Sequence, residues 1–251
     1  MGVLFRKLAC MQKWISIIIP TCNEAACIGK LIAFLQKRGG GYVAEIIISD
    51  GGSTDDTVSI AQQAGVTAFV SPQIGRAAQM NFGVTKATGD ILYFIHADCF
   101  PPENFAADII AAVENGFSFG RYRSKYNSSN FMLRINAWFT RFNWFICYGG
   151  DQTLFITRKL FEQSGGFKSD LLIMEEYEFC ERLMKLGRYK IFSAPALISA
   201  RKYKGRSWLK VQQANRKAVQ SFKKGMPQQK IVDEYKMNLG IRAVDDNNNI
   251  V

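Results

Sequence analysis

The chain has 251 residues with 48% hydrophobic and 13% aromatic content, a globular composition that excludes an intrinsically disordered chain. Its longest apolar runs, at 15–19 and 91–95, fall far short of the roughly 20 residues a membrane-spanning helix needs. The formal net charge of +11 points to an anionic partner, whether a nucleoside diphosphate, a nucleic acid or acidic lipid headgroups.

Residues 1–13 are too interrupted by charge to form a secretory leader and read as an N-terminal extension. Residues 14–19 form an apolar, β-branched run ended by Pro20, the mark of a buried parallel strand. Asn23 is placed to cap a helix over 24–38 that the glycines at 39, 40 and 41 stop. A second strand over 44–49 leads to a helix that starts at Ser53 or Thr54 and runs to 64. A strand over 67–70, a helix over 76–87 and a strand over 90–95 complete the series. Strand and helix thus alternate four times, which implies right-handed crossovers and a parallel sheet. Ligands bind such sheets at the carboxyl ends of the strands. Those ends carry PTCNE, SDGGSTD and IHADC.

Beyond Pro101 the rhythm changes. A helix reaching 114 precedes a strand over 117–123 and an aromatic-rich stretch over 130–145, with Trp138, Phe142 and Phe145 at helical spacing. A tight turn at 148–151, a strand over 153–157, a helix over 175–186 and a strand over 189–193 follow. From Arg206 onward the chain is helical and basic. The six cysteines (10, 22, 27, 99, 147 and 180) show neither CxxC nor metal-site spacing, so reduced thiols in a cytoplasmic protein are expected.

The usual glycine-based phosphate cradles, GxGxxG and GxxxxGK[ST], are absent. The first two strand ends instead carry Asn23, Glu24, Asp50, Asp55 and Asp56, which suit a base and ribose but repel phosphate. A metal, a basic residue or both must then neutralise the phosphates. Asp98 is placed to hold a hard cation, Mn²⁺ or Mg²⁺, bridging a diphosphate; the alternative is a cap for the helix after Pro101 and Pro102. His96, the only histidine, reads equally as a second metal ligand and as a satisfied strand-end residue.

The ordered segments ISIIIPTCNEAACIGKLIAFL, DGGSTDDT, GRAAQMNFGVTKATGDILYFIHADC, GGDQTLFITRKLFEQSGGF and MEEYEFCERLMKLG resemble family 2 glycosyltransferases of the GT-A fold. The likeness covers about residues 14–195 and is nearest the bacterial radical-SAM/selenodomain-associated subgroup. It implies an α/β, Rossmann-like, mainly parallel sheet flanked by helices, with a helical C-terminal appendage. It also implies transfer of a sugar from a nucleotide-diphosphate sugar to an acceptor hydroxyl with inversion. The donor would be held by Pro20, Thr21, Asn23, Glu24, Asp50, Gly51, Arg76, Ala97 and Asp98, with Asp50 at the base and Arg76 at the phosphates. Asp98 matches the last aspartate of the DxD signature, whose first position is here His96; Gly51 replaces the second acid of the usual DDGS loop. Glu176 falls at the catalytic-base position beside Glu175, where the family has Glu-Asp. Gly150, Asp151 and Gln152 resemble the loop that meets the acceptor or donor sugar.

Other readings of the same residues stand beside these. Glu175 and Glu176 can be helix N-terminal residues favoured by the dipole alone, whereas Glu178–Arg182 and Glu181–Lys185 read as i,i+4 surface pairs. The implied organisation is a domain over 14–200, divided into a nucleotide-binding half (14–100) and an acceptor half (101–200), followed by a basic amphipathic tail over 201–251. In that tail Trp208, Val211, Ala218, Val219 and Phe222 form an apolar stripe that suits docking onto the domain or onto an anionic membrane at the inner face. A lipid-linked acceptor would favour the latter. Lys202 and Arg206 can also grip the donor diphosphate. Nucleic-acid binding is not expected, since the sheet-edge loops are acidic. A nucleotidyltransferase or a catalytically impaired nucleotide-sugar-binding protein is the alternative.

Overall fold

The computed structural model describes residues 14–145, 148 and 153–241. Strand β1 (Ile15–Thr21) is buried along its whole length, and its side chains alternate between two cores. Ile15, Ile17 and Ile19 face the helices α1 (Ala25–Gly39), α2 (Thr57–Gln63) and α4 (Phe105–Glu114); Ile18 faces α3 (Arg76–Lys86), α6 (Arg158–Ser164) and α7 (Glu175–Leu183). This two-sided burial explains why the strand reads as a continuous apolar run.

Eight strands form one sheet in the order β3-β2-β1-β4-β7-β6-β8-β5. Strands β2 (Val43–Asp50), β3 (Thr67–Val70) and β4 (Ile91–Phe94) join β1 in parallel, as expected. The second half departs from that rule. Strand β7 (Leu154–Thr157) pairs antiparallel with β4 and with β6 (Phe119–Tyr126); β6 runs parallel to β8 (Tyr189–Ile198), and the two-residue β5 (Cys99–Phe100) pairs antiparallel with β8. The sheet is therefore mixed, flanked by helices on both faces, and of GT-A type.

Because β1 leads outward to β2 and β3 on one side while β4 lies on its other side, the order reverses between β1 and β4. The helices that follow β1 and β4, α1 and α4, pack on the same face, and the segments leaving these neighbouring strands lie side by side at their carboxyl ends, the usual ligand position in such sheets. The segments after β1 and β4 are PTCNE and IHADC.

The basic tail holds two helices. Helices α8 (Trp208–Lys223) and α9 (Gln228–Leu239) are separated by Gly225-Met226-Pro227, a helix stop followed by a helix start. They bury Val211, Ala214 and Ala218 against Ile231, Val232, Tyr235 and Leu239, together with Ile173 and Met174. The apolar stripe of α8 is thus spent on docking. No described helix is long and apolar enough to cross a membrane.

Candidate active site

The first two loops lock together through Asp50. Its carboxylate accepts from the Thr21 hydroxyl (2.8 Å), the Gly52 and Ser53 amides (2.9 and 2.7 Å) and the Ser53 hydroxyl (2.5 Å). Asp50 is fully buried, and neither it nor Gly51 lines the cavity described below. A side chain at Gly51 would meet the Gln79 amide at 3.0 Å, and that amide donates to the Thr21 and Ser49 carbonyls (2.7 and 2.9 Å). The acid expected at the second position of the loop would displace Gln79.

Asn23 does not cap α1. The N-cap position is Glu24, with no side-chain cap, and Asn23 sits in the left-handed region at φ 54°, a conformation asparagine tolerates better than most residues. Its amide donates to the Ser53 hydroxyl (2.8 Å) and its side-chain oxygen accepts from the Thr54 amide (2.8 Å). Ser53 and Thr54 are thereby held in the loop, and α2 begins only at Thr57.

A cavity of about 940 Å³ opens at the switch point. Pro20, Thr21, Asn23 and Glu24 line it from the first loop, Arg76 from the start of α3, His96, Ala97 and Asp98 from the loop after β4, and Glu175 and Glu176 from the start of α7. Lys202 and Arg206 line it from the C-terminal side. Three charge contacts organise its wall. Arg76 Nε lies 3.0 Å from Glu175 Oε1; His96 Nε2 lies 3.0 Å from Glu176 Oε1; Arg201 donates twice to Glu24, at 2.9 and 2.7 Å, and approaches Asp98 Oδ2 at 3.3 Å.

Burial pushes the Glu175 carboxyl above its ordinary pKa, and the Arg76 guanidinium opposes that rise only in part. The hydrogen bonds to Glu24 raise Arg201 further above its already high value. The two glutamates stand in the first turn of α7, where the helix dipole favours anions. That turn is set by Met174 in the left-handed conformation (φ 68°). The segment before it is pinned by Asn81, whose side chain donates to the Phe167 carbonyl (2.7 Å) and accepts from the Phe167 amide (3.0 Å).

Asp98 does not cap α4, whose N-cap position is Asn104. Among the described residues no group of three His, Cys, Asp or Glu side chains is arranged to hold a metal ion. His96 presents its Nε2 to Glu176. Asp98, which lines the cavity with its Oδ2 3.3 Å from Arg201, is the carboxylate that would hold a Mg²⁺ or Mn²⁺, ions commonly bound through one or two carboxylates together with substrate phosphates.

Gly150, Asp151 and Gln152 lie outside the described residues. The sequence reading missed Arg201, Gln79 and Tyr203, which also line the cavity. Arg201 begins the basic cluster RKYKGR, but nothing in its spacing ties it to Glu24, 177 positions earlier. Arg206 spends part of its guanidinium on the Leu239 carbonyl (3.1 Å), and the Lys202 ammonium lies 5.3 Å from the Tyr235 ring centre.

Comparison with known proteins bears on the family and the fold. Over 97 residues the chain is 31% identical to glucosyl-3-phosphoglycerate synthase of Mycolicibacterium smegmatis, covering 36% of this chain and 32% of that protein. The chain thus spans about a third of that relative. It is 27% identical over 206 residues to the PGL/p-HBAD biosynthesis glycosyltransferase of Mycobacterium bovis, covering 73% and 72% of the two chains. The fold matches mannosyltransferase PcManGT of Pyrobaculum calidifontis, solved with GDP-Man and Mn²⁺, with a TM-score of 0.62 at 16% identity over 93% of this chain and 74% of that one. The model of the glycosyl transferase family 2 matches residues 16–169, more than half of the chain, and the protein belongs to that family.

Proposed function

We propose that the cavity transfers a sugar from a nucleoside diphosphate to an acceptor hydroxyl with inversion at the anomeric carbon. The observation that carries this reading is Glu176. Its carboxylate is nearly buried in the cavity wall, is held 3.0 Å from His96, and belongs to the same cavity as the PTCNE and HAD loops. A carboxylate so placed takes the proton from the acceptor hydroxyl as that oxygen attacks the anomeric carbon. The carbon–oxygen bond to the diphosphate breaks on the opposite face, and the nucleoside diphosphate leaves with the electron pair. His96 orients Glu176. Arg76 fixes Glu175, which keeps the start of α7 in register with the loop after β4.

The leaving diphosphate is met by the cationic side of the cavity, where Lys202, Arg206 and Arg201 stand. A divalent cation on Asp98 would supply electrostatic stabilisation of the same charge. Asp50 acts through the loops it ties together and positions Thr21 and Asn23 toward a nucleoside. The Mn²⁺ and GDP-Man in the PcManGT structure support this choice of donor and metal. Gly150, Asp151 and Gln152 complete the acceptor side in this reading. A cytoplasmic location and membership of the radical-SAM/selenodomain-associated subgroup belong to the same proposal.

A thermal-shift screen of UDP-, GDP- and dTDP-sugars with and without Mn²⁺ tests it. A shift with one base series, enhanced by Mn²⁺ and lost in Asp98→Ala, is expected. No shift with any nucleotide sugar would refute it, and a shift without turnover would favour the nucleotide-sugar-binding alternative.

A further inference from the structure

Helix α5 (Phe131–Phe139) and the turn after it leave an aromatic ridge in solvent. Phe131 is 67% exposed, and Trp138 and Trp144 are each 48% exposed, while α5 buries only Leu133. Contiguous exposed apolar surface of this kind marks an interaction site. The ridge adjoins the cavity, since Asn136, Phe139 and Thr140 line its wall.

Charge says what covers it. Residues 115–150 contain no Asp or Glu, and residues 182–232 contain none either but carry fourteen Lys and Arg. These two stretches meet at the ridge, because Lys223 at the end of α8 places its ammonium 4.2 Å from the Phe145 ring centre. Arg141 lies 4.6 Å from the Trp138 ring centre. A second copy of this chain would bring one basic surface against another. The ring faces are also already taken: Phe142 and Trp144 stack on each other at 4.6 Å, and Arg141 covers Trp138, which leaves little face for a nucleobase. Aromatic edges ringed by cations suit the boundary between anionic headgroups and acyl chains.

We propose that the α5 ridge and the basic end of α8 form a docking surface for an anionic phospholipid membrane and bring the cavity mouth to the headgroups. This differs from insertion of the α8 stripe, which is buried against α9. It holds whether or not the cavity transfers sugars.

Flotation of the full chain with vesicles of phosphatidylcholine, alone or with 30% phosphatidylglycerol, tests it. At low salt at least tenfold greater partition onto the anionic vesicles is expected, reduced by 0.5 M NaCl. The variants Phe131→Ser/Trp138→Ser/Trp144→Ser and Lys223→Glu/Lys224→Glu should each lower partition about tenfold or more while keeping the parent melting temperature. In a Trp14→Phe/Trp208→Phe background, brominated lipid should quench the two remaining tryptophans. Absence of partition, partition unchanged by the ridge variant, or a ridge-dependent dimer or oligonucleotide complex without lipid binding would each overturn the proposal.

Discussion

Replacing Arg201 with glutamine removes the cation that Glu24 and Asp98 share. Glu24 keeps only 7% side-chain exposure and Asp98 18%, so both carboxylates lose the Arg201 guanidinium in a mostly buried setting. Breaking one side of a fully buried pair costs about 3–5 kcal/mol. Arg201 itself is 47% exposed, so water screens part of the interaction and the expected loss falls to about 1–2 kcal/mol. For a chain of this size that lowers the melting temperature by about 3–6 °C. Scanning calorimetry of the wild type, Glu24→Gln, Arg201→Gln and the double variant checks this as a cycle. The double variant should recover at least about 1 kcal/mol relative to the sum of the singles. Additivity within about 0.3 kcal/mol would refute the reasoning.

Other consequences can be checked on the same protein. Glu175 has a raised pKa, so its contribution to stability is present below the ordinary carboxylate pKa and is lost as pH rises through the folded value. The melting temperature of Glu175→Gln minus that of the wild type should therefore become more positive between pH 4 and pH 7; a flat or falling difference contradicts the shift. Asn81→Ala removes the three hydrogen bonds that tie α3 to Phe167 and Ser169 and should cost about 2 kcal/mol in urea unfolding. Burial, aided by Asp50, raises the Cys22 thiol, so alkylation of its peptide should be slow at neutral pH, accelerate above pH 9 and slow again when nucleotide fills the cavity.

The first four strands were legible because each is a short apolar run with a polar break, and because parallel strands buried on both faces tolerate little else. Their topology located the site, since PTCNE and HAD follow adjacent strands. The second half was harder. Strand β5 has two residues and α6 seven, too few for a periodic signal, and α6 follows β7 without a loop. Pairing of β6 with β8 joins segments about seventy residues apart, which no local pattern encodes. Asn23 looked like a helix cap because asparagine serves both as a cap and in left-handed turns; tertiary bonds to Ser53 and Thr54 selected the turn. The glycine and proline at 225 and 227 did carry a readable signal for two helices, which the basic character of the tail obscured. His96 was weighed between metal ligand and strand-end residue, and its contact with Glu176 comes from an element eighty positions away.

The central claim is that Glu176 accepts the acceptor's proton. It is tested most directly by single-turnover release of nucleoside diphosphate, in the presence of acceptor, by the wild type and Glu176→Gln under saturating donor. Glutamine preserves the shape and a hydrogen bond to His96 but cannot take a proton. Chemistry should slow by at least about 10²-fold with donor binding nearly unchanged. Turnover within a few-fold of the wild type would contradict the account.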